Sequence, residues 1–404
     1  MNDSRTRCHP LFALPLLAAL TTATSLAAED DRLNRHPVQQ VWVHDVAPAT
    51  VISYTNAGYR ITDLEIASVS PFHVTAALVK NTGAYAKRWY WYYNMTGADV
   101  TTKINTLGVR IYDLEPYVVN GSLRFAALFE DNRGSNAKSW WWYYGVQFSD
   151  LQTAYQNNGA RIIDLNRYTI GSTTAYAAVM IRNSGSDALS WSWALNYSGS
   201  NVIARLQSLG HQLYDIEKVG DDRYNMISVN NGQSLSTWFN VTPSYAETLR
   251  RNGNYRMIDV EPYSDGRLTI VMMRNSGFFT AQGSSCAPGF SHSATGNPAP
   301  GQNVQYRLNA PSSFAGVATL LFGAQATSID LSPIGASGCR LYLQPQIVLG
   351  VAGFGTTNVQ MQLPTTNSLI GQGLFTQFAV PQPGLNNLGL GTTNRLETTV
   401  GPVQ

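Results

Sequence analysis

The chain has 404 residues, which is more than one ordinary domain holds and suits two or three. Apolar residues reach 44% and aromatics 11%, charged residues only 13%, and 27 Lys and Arg against 25 Asp and Glu leave a formal charge of +2. That balance excludes a nucleic-acid binder with a basic stripe, a polybasic membrane anchor and a disordered chain.

The first element is a targeting segment. Arg5 and Arg7 form a short basic region, Leu11 to Leu20 is an apolar run of h-region length, and Ser25-Leu26-Ala27 supplies small residues for cleavage. The run is too short for a transmembrane span. Residues 1–27 are therefore expected to be a signal peptide, and the chain to be secreted, periplasmic or extracellular. Cys8 leaves with it. Cys286 and Cys339 remain, and in an exported chain two cysteines are most simply one disulfide.

A repeat of about 50 residues organises residues 38–280. Its mark is Gly58-Tyr59-Arg60-Ile61-Thr62-Asp63-Leu64, echoed at Gly108 to Leu114, Gly159 to Leu165, Gly210 to Ile216 and Asn254 to Val260. Asn81, Asn132, Asn183, Asn230 and Asn275 keep the same beat, each opening an Asn-x-Gly turn. Eight residues after the first four of them stand Trp89, Trp140, Trp191 and Trp238. Each unit reads as an aromatic strand, a helix, an Asp strand and an apolar strand. Thr96 with Asp99 suggests a capping box, the motif Gly a left-handed helix stop, and Asn120-Gly121 a hairpin turn. One unit cannot bury its own apolar faces, so neighbours must stack. The expected fold is an α+β repeat array: one curved antiparallel sheet, linear or curved overall, with helices on one face. Three strands per unit disfavour a four-stranded propeller blade.

Residues 281–301, rich in Gly, Ser, Ala and Pro, read as a linker. From Cys286 onward there are five charged residues, no Lys and no Trp. Short β-like runs between Gly, Pro and Asn predict an all-β, sandwich-like module over residues 302–404.

The Gly-x-Arg-Ile-x-Asp-Leu and Trp-x-Trp-Tyr repeats resemble the tandem repeat of the N-terminal domain of polyglycine hydrolases, which also occurs in bacterial secreted proteins. In that family proteolysis belongs to a separate β-lactamase-like domain, and no stretch here resembles it. The tail is similar to a recurrent C-terminal β module of secreted bacterial proteins, through Gly335-Ala336-Ser337-Gly338-Cys339 and Gly391-Thr392-Thr393-Asn394-Arg395-Leu396. The resemblance implies fold and export, not a peptidase.

Candidate chemistry is sparse. Ser135-Asn136-Ala137-Lys138 has the letters of a Ser-x-x-Lys nucleophile but not its helical setting. The five recurrent Asp are read as fold contacts that accept backbone or Arg hydrogen bonds inside each unit. His44, His73 and His211 show no metal-ligand spacing. No metal, cofactor or catalytic residue is assigned. The aromatic strands carry the best functional feature. Period two places Trp140, Trp142 and Tyr144 on a recurrent face read as core, and Trp141 and Tyr143 on a varying face matched by Tyr90 and Phe239. Tyr90, Trp141, Tyr143 and Phe239 are thus the candidate platform for an extracellular peptide or polysaccharide. The sequence reads as a secreted non-catalytic repeat protein that binds such a ligand or serves at the cell surface. The second reading is a hydrolase of peptide or glycan with a site built across units.

Overall fold

A computed structural model describes residues 30–403 except 231, 233 and 234, so the signal segment lies outside the described residues. The described residues divide into two compact units, one ending at Asn275 and the other running over Ser276–Val403. No described helix is long and apolar enough to cross a membrane.

The first unit holds five blades of the same order. Blade one is β1 (Gln40–Val46), α1 (Pro48–Asn56), β2 (Tyr59–Val69) and β3 (Phe72–Lys80). Blade two is β4 (Trp89–Met95), α2 (Gly97–Leu107), β5 (Val109–Val119) and β6 (Ser122–Asp131). Blade three is β7 (Trp140–Val146), α3 (Phe148–Asn158), β8 (Ala160–Ile170) and β9 (Thr173–Arg182). Blade four is β10 (Ser190–Tyr197), α4 (Gly199–Leu209), β11 (Gln212–Gly220) and β12 (Arg223–Asn230). Blade five is β13 (Leu235–Val241), α5 (Pro243–Gly253), β14 (Tyr255–Pro262) and β15 (Leu268–Arg274). In every blade the apolar strand lies in the middle, with the aromatic and Asp strands antiparallel on either side of it. Local chemistry matches the expected signals. Thr96 and Asp99 form the capping box, Gly108, Gly159 and Gly210 end their helices in the left-handed region, and Asn120 and Gly121 both take positive φ in the hairpin.

Two expectations are corrected. The five sheets are separate, not one curved sheet, because each Asp strand is the edge of its own three-stranded sheet. The array closes on itself, a point the sequence leaves open. The Asp strands touch in the cycle β2, β5, β8, β11, β14 and back to β2. An edge strand leaves alternate N–H groups without a ladder partner. Here the Asp of the next blade accepts them. Leu64 N donates to Asp113 at 3.0 Å, Leu114 N to Asp164 at 2.8 Å, Leu165 N to Asp215, Ile216 N to Asp259 at 3.1 Å, and Val260 N to Asp63 at 2.9 Å. The recurrent Asp therefore join blades, where the sequence had suggested bonds inside each unit.

The Asn-x-Gly asparagines close the ring a second time. Asn81, Asn132 and Asn183 each bracket the backbone six residues on, at Lys87, Lys138 and Leu189. Asn275 has no blade after it. It brackets Val38 instead, just before β1, with both bonds at 2.8 Å.

The second unit is all-β. One sheet runs in the order Phe278–Gln282, Arg395–Thr399, Gly373–Pro381, Ala315–Gly323, Ile347–Phe354, with Leu390–Thr392 also on Gly373–Pro381. A second holds Ser291–Gly296, Asn303–Asn309 and Thr357–Gln362. Tyr306, Leu308, Leu320, Phe378 and Leu396 from both share one core. Phe278–Gln282 thus belongs to this unit. The expected linker is folded, since Ala287 and Phe290 are in the core and Ser291–Gly296 is a strand. Cys286 and Cys339 are disulfide-bonded. The Thr393-Asn394-Arg395 motif staples segments together: Thr393 Oγ1 accepts from Phe378 N, Asn394 brackets His292, and Arg395 reaches Tyr342 O.

Buried His292 gives this unit a pH dependence. Burial pushes its pKa down to about 4 from 6.5, while its ring bonds Arg307 O and Thr376 Oγ1. The folded form keeps the imidazole neutral, so the stabilisation is complete above about pH 6.5 and is lost as pH falls toward 4. The expected loss is about 3 kcal/mol. Tm measured from pH 7 to 4 should fall less in His292→Gln than in the parent chain.

Candidate functional site

Two places in the first unit concentrate chemistry: the axis of the ring and the seams between blades.

The axis is built by a β-bulge. In each Asp strand the register shifts one residue before the Asp, at Thr62, Tyr112, Ile163, Tyr214 and Ile258. A bulge turns the following side chains to the other face. Arg60, Asp63 and Glu65, and their counterparts, thereby share the axial side. Into the end where the Asp strands begin runs the segment Asp30–Asn34. Asp31, Arg32, Leu33 and Asn34 are buried. Arg32 sits amid the Asp layer, with Nη1 at 2.9 Å from Asp215 and Nη2 at 3.9 Å from Asp63 and Asp113. It also donates to Ile163 O at 2.8 Å and lies over the rings of Tyr112 and Tyr214. Burial raises the pKa of Asp113 to about 7 and of Asp215 to about 6, each against the pull of Arg32. Burial and neighbouring Asp carboxylates push Asp63 and Asp164 well above their ordinary value, and burial with Glu261 and Asp215 does the same at Asp259; Arg32 opposes all three. At Asp31 burial works upward too, but Arg60 and Lys87 hold it well below the usual carboxylate range. Arg60 Nη2 donates to Asp31 at 2.8 Å, and Arg256 donates to the carbonyls of Asp31 and Asn34.

The seams carry the aromatics. Phe72 of blade one stacks on Tyr93 of blade two, ring centroids 5.1 Å apart. Phe125 of blade two meets Trp142 and Tyr144 of blade three, and Phe148 of blade three meets Trp193 of blade four at 4.3 Å. Tyr224 of blade four meets Phe239 of blade five. The recurrent face is thus the inter-blade contact. It is not wholly core: Trp140 and Trp142 are half-buried, and Tyr93 and Tyr144 are each 42% exposed. Gly97 makes room for Tyr144, whose hydroxyl an added Cβ would clash with.

The predicted platform is redistributed. Tyr90, Trp141 and Tyr143 are half-buried and turned toward their own blade's helix or cations. Tyr143 Oη accepts from Asn158 of α3 at 3.0 Å, Arg182 lies over Trp141, and Arg88 lies over Tyr90. Phe239 belongs to the opposite face. The left-handed residue near the end of each aromatic strand is Asp45, Asn94, Gly145, Asn196 and Asn240. Counting back from it aligns Phe239 with Tyr93 and Tyr144, and Trp238 with Tyr92 and Tyr143. Blade five is three residues shorter between its turn and this strand, so the Asn-to-Trp spacing puts it in the wrong register.

The remaining candidates scatter. Lys138 pairs with Asp187, His44 Nδ1 meets Thr75, and His73 pairs with Asp45 at 2.9 Å. The Ser135 side chain lies outside the described set. His211 is different: Nε2 lies 3.2 Å from Ser190 Oγ and Nδ1 3.2 Å from Ser228 Oγ.

Sequence reasoning missed the axial segment Asp30–Asn34 and the glutamates two residues beyond the recurrent Asp. The second had a readable signal. Asp-Leu-Glu, Asp-Ile-Glu or Asp-Val-Glu occurs in four of the five units, and only Asp164-Leu165-Asn166 departs.

The profile of the family described as polyglycine hydrolase-like, structural repeat, matches residues 86–132 and 137–183. These two blades carry the polyglycine hydrolase-like structural repeat. Each match opens just before an aromatic strand and ends at an Asn of the Asn-x-Gly turn, so the family's unit coincides with one blade. The other three blades repeat its strand order and its Asp bond. No curated protein matches the chain.

Proposed function

We propose that this is an exported, non-catalytic binding protein whose polyglycine hydrolase-like repeats hold an extracellular glycan or peptide against aromatic rings at the blade seams. The observation that carries the reading is the Trp142–Tyr144 stack, with centroids 4.9 Å apart and planes at 23°, and Tyr144 42% exposed. Trp91 and Tyr93 form the corresponding pair one seam earlier, tilted at 39° with centroids 5.4 Å apart. A half-exposed stacked pair offers a flat apolar surface at little entropic cost, which suits a sugar ring or an extended backbone. Tyr90, Trp141 and Tyr143 keep part of their surface and form the second set to test. Export rests on the signal-like residues 1–27, and the disulfide suits it. The tail, sandwich-like and similar to modules of secreted bacterial proteins, is read as an accessory domain.

The test is a screen of polysaccharides and Gly-rich peptides. Tyr144→Ala with Tyr93→Ala should weaken the ligand found at least tenfold and move Tm by only a few degrees. An unchanged affinity, or no ligand, would contradict the reading.

One observation favours the hydrolase alternative. Blade four places Ser190, His211 and Ser228 in a hydrogen-bonded line, and burial and Arg205 lower the His211 pKa, keeping the imidazole neutral as a general base requires. Labelling of Ser190 by a fluorophosphonate, abolished in His211→Ala, would favour that reading over binding.

A further inference from the structure

One layer beyond the Asp layer, the same five strands place Glu65, Glu115, Asn166, Glu217 and Glu261 on the axial side. Glu65, Glu217 and Glu261 each offer a carboxylate oxygen, and these oxygens lie within 4.8 Å of one another. Glu65, Glu115 and Glu261 are buried, and Glu217 is half-buried at the rim. Among the described residues no Lys or Arg forms an ion pair with any of the four glutamates; Arg32 reaches only the Asp layer.

A second observation shows what the layer lacks. In blade three, Asn166 Nδ2 donates to Asp164 Oδ1 at 2.9 Å and satisfies it. In blade five Glu261 stands in that position, and an ionised carboxylate has no proton to donate. Its Oε2 accepts from Lys218 N at 3.0 Å, and its side-chain partner is another acid, Glu65, which it can meet only by sharing a proton; Oε1, on a residue only 3% exposed, and Asp259 Oδ1 receive no N–H donor among the described residues. A buried bare carboxylate oxygen costs free energy until a cation or donor meets it.

We propose that this layer binds one calcium ion through Glu65, Glu217 and Glu261, with Glu115 adding charge and water completing the shell. The ligand set is all oxygen, which selects a hard cation. Ligand oxygens within 4.8 Å of one another are within reach of one ion at calcium–oxygen distances of about 2.3–2.6 Å. Calcium accepts an irregular shell completed by water, whereas magnesium demands near-ideal octahedral geometry at about 2.0–2.1 Å. The ion would tie blades one, four and five across the axis, on the side away from Asp30–Asn34.

The experiment uses the full exported chain, stripped with EDTA and titrated with calcium chloride by calorimetry, with Tm read alongside. The expected result is one saturable site per chain and a Tm raised by several degrees. Glu217→Gln with Glu261→Gln should fold, because carboxamides relieve like-charge repulsion, yet lose the heat of that site and the Tm rise. Glu217→Gln alone, at the rim, serves if the pair fails to fold, and should weaken calcium at least tenfold. No saturable heat in the parent chain, or heat and Tm shift unchanged in the folded variant, would overturn the site. Magnesium raising Tm as much as calcium would overturn the choice of ion, and heat that persists in the variant would assign it to surface carboxylates instead.

Discussion

Arg32→Ala is expected to lower the stability of the repeat unit by about 3–5 kcal/mol, the range for removing one partner of a buried ion pair. Arg32 faces five buried Asp around one axis and makes a direct ion pair with Asp215. Those Asp also accept the backbone N–H groups that hold successive blades together. Without the guanidinium they repel one another in a site closed to water, and the unit must protonate them or loosen the ring. In a domain of this size the loss corresponds to a Tm drop of about 10 °C. Arg32→Lys should recover only part of it, because an ammonium cannot donate in fixed fork geometry while lying flat over Tyr112 and Tyr214. A Tm for Arg32→Ala within 2–3 °C of the parent chain would contradict the role given to this residue.

Phe125→Ala is the second large effect. Phe125 is fully buried and fills the seam between blades two and three against Trp142 and Tyr144. Truncating it leaves a cavity under two rings, at about 3–5 kcal/mol. Tyr144→Ala, on the exposed side of the same seam, should cost about 1 kcal/mol, since much of that ring is already in water. Chemical denaturation of both variants checks the contrast. Equal losses would mean that Tyr144 is core and not available to a ligand.

Much of the blade was legible in the residues. The Gly-x-Arg-Ile-x-Asp-Leu beat, the capping box at Thr96 and the Asn-Gly hairpin are local signals, and local conformation answers to them. The ring was not legible, for three physical reasons. The bulge before each Asp adds a residue to one strand, so strict alternation would set Arg60 and Asp63 on opposite faces. The axial segment Asp30–Asn34 has no periodicity, because its job is to fill a hole made by five other strands. Closure joins Val38 to Asn275 and Val260 to Asp63, and contacts so distant in sequence leave no spacing to read. The candidate platform failed at Phe239 for a narrower reason: a three-residue deletion in blade five shifts the register, and a shift by an odd number exchanges the two faces.

The closed ring is the claim on which the rest depends, and amide hydrogen exchange at Val260 tests it most directly. Its N–H lies on the unpaired side of an edge strand, and its acceptor is Asp63 of the first blade. In a closed ring Val260 is equivalent to Leu64 and Leu114, whose acceptors are Asp113 and Asp164. The three amides should then exchange equally slowly, at the rate set by opening of the whole unit. In an open array Val260 would face water, and its exchange would be orders of magnitude faster than that of Leu114.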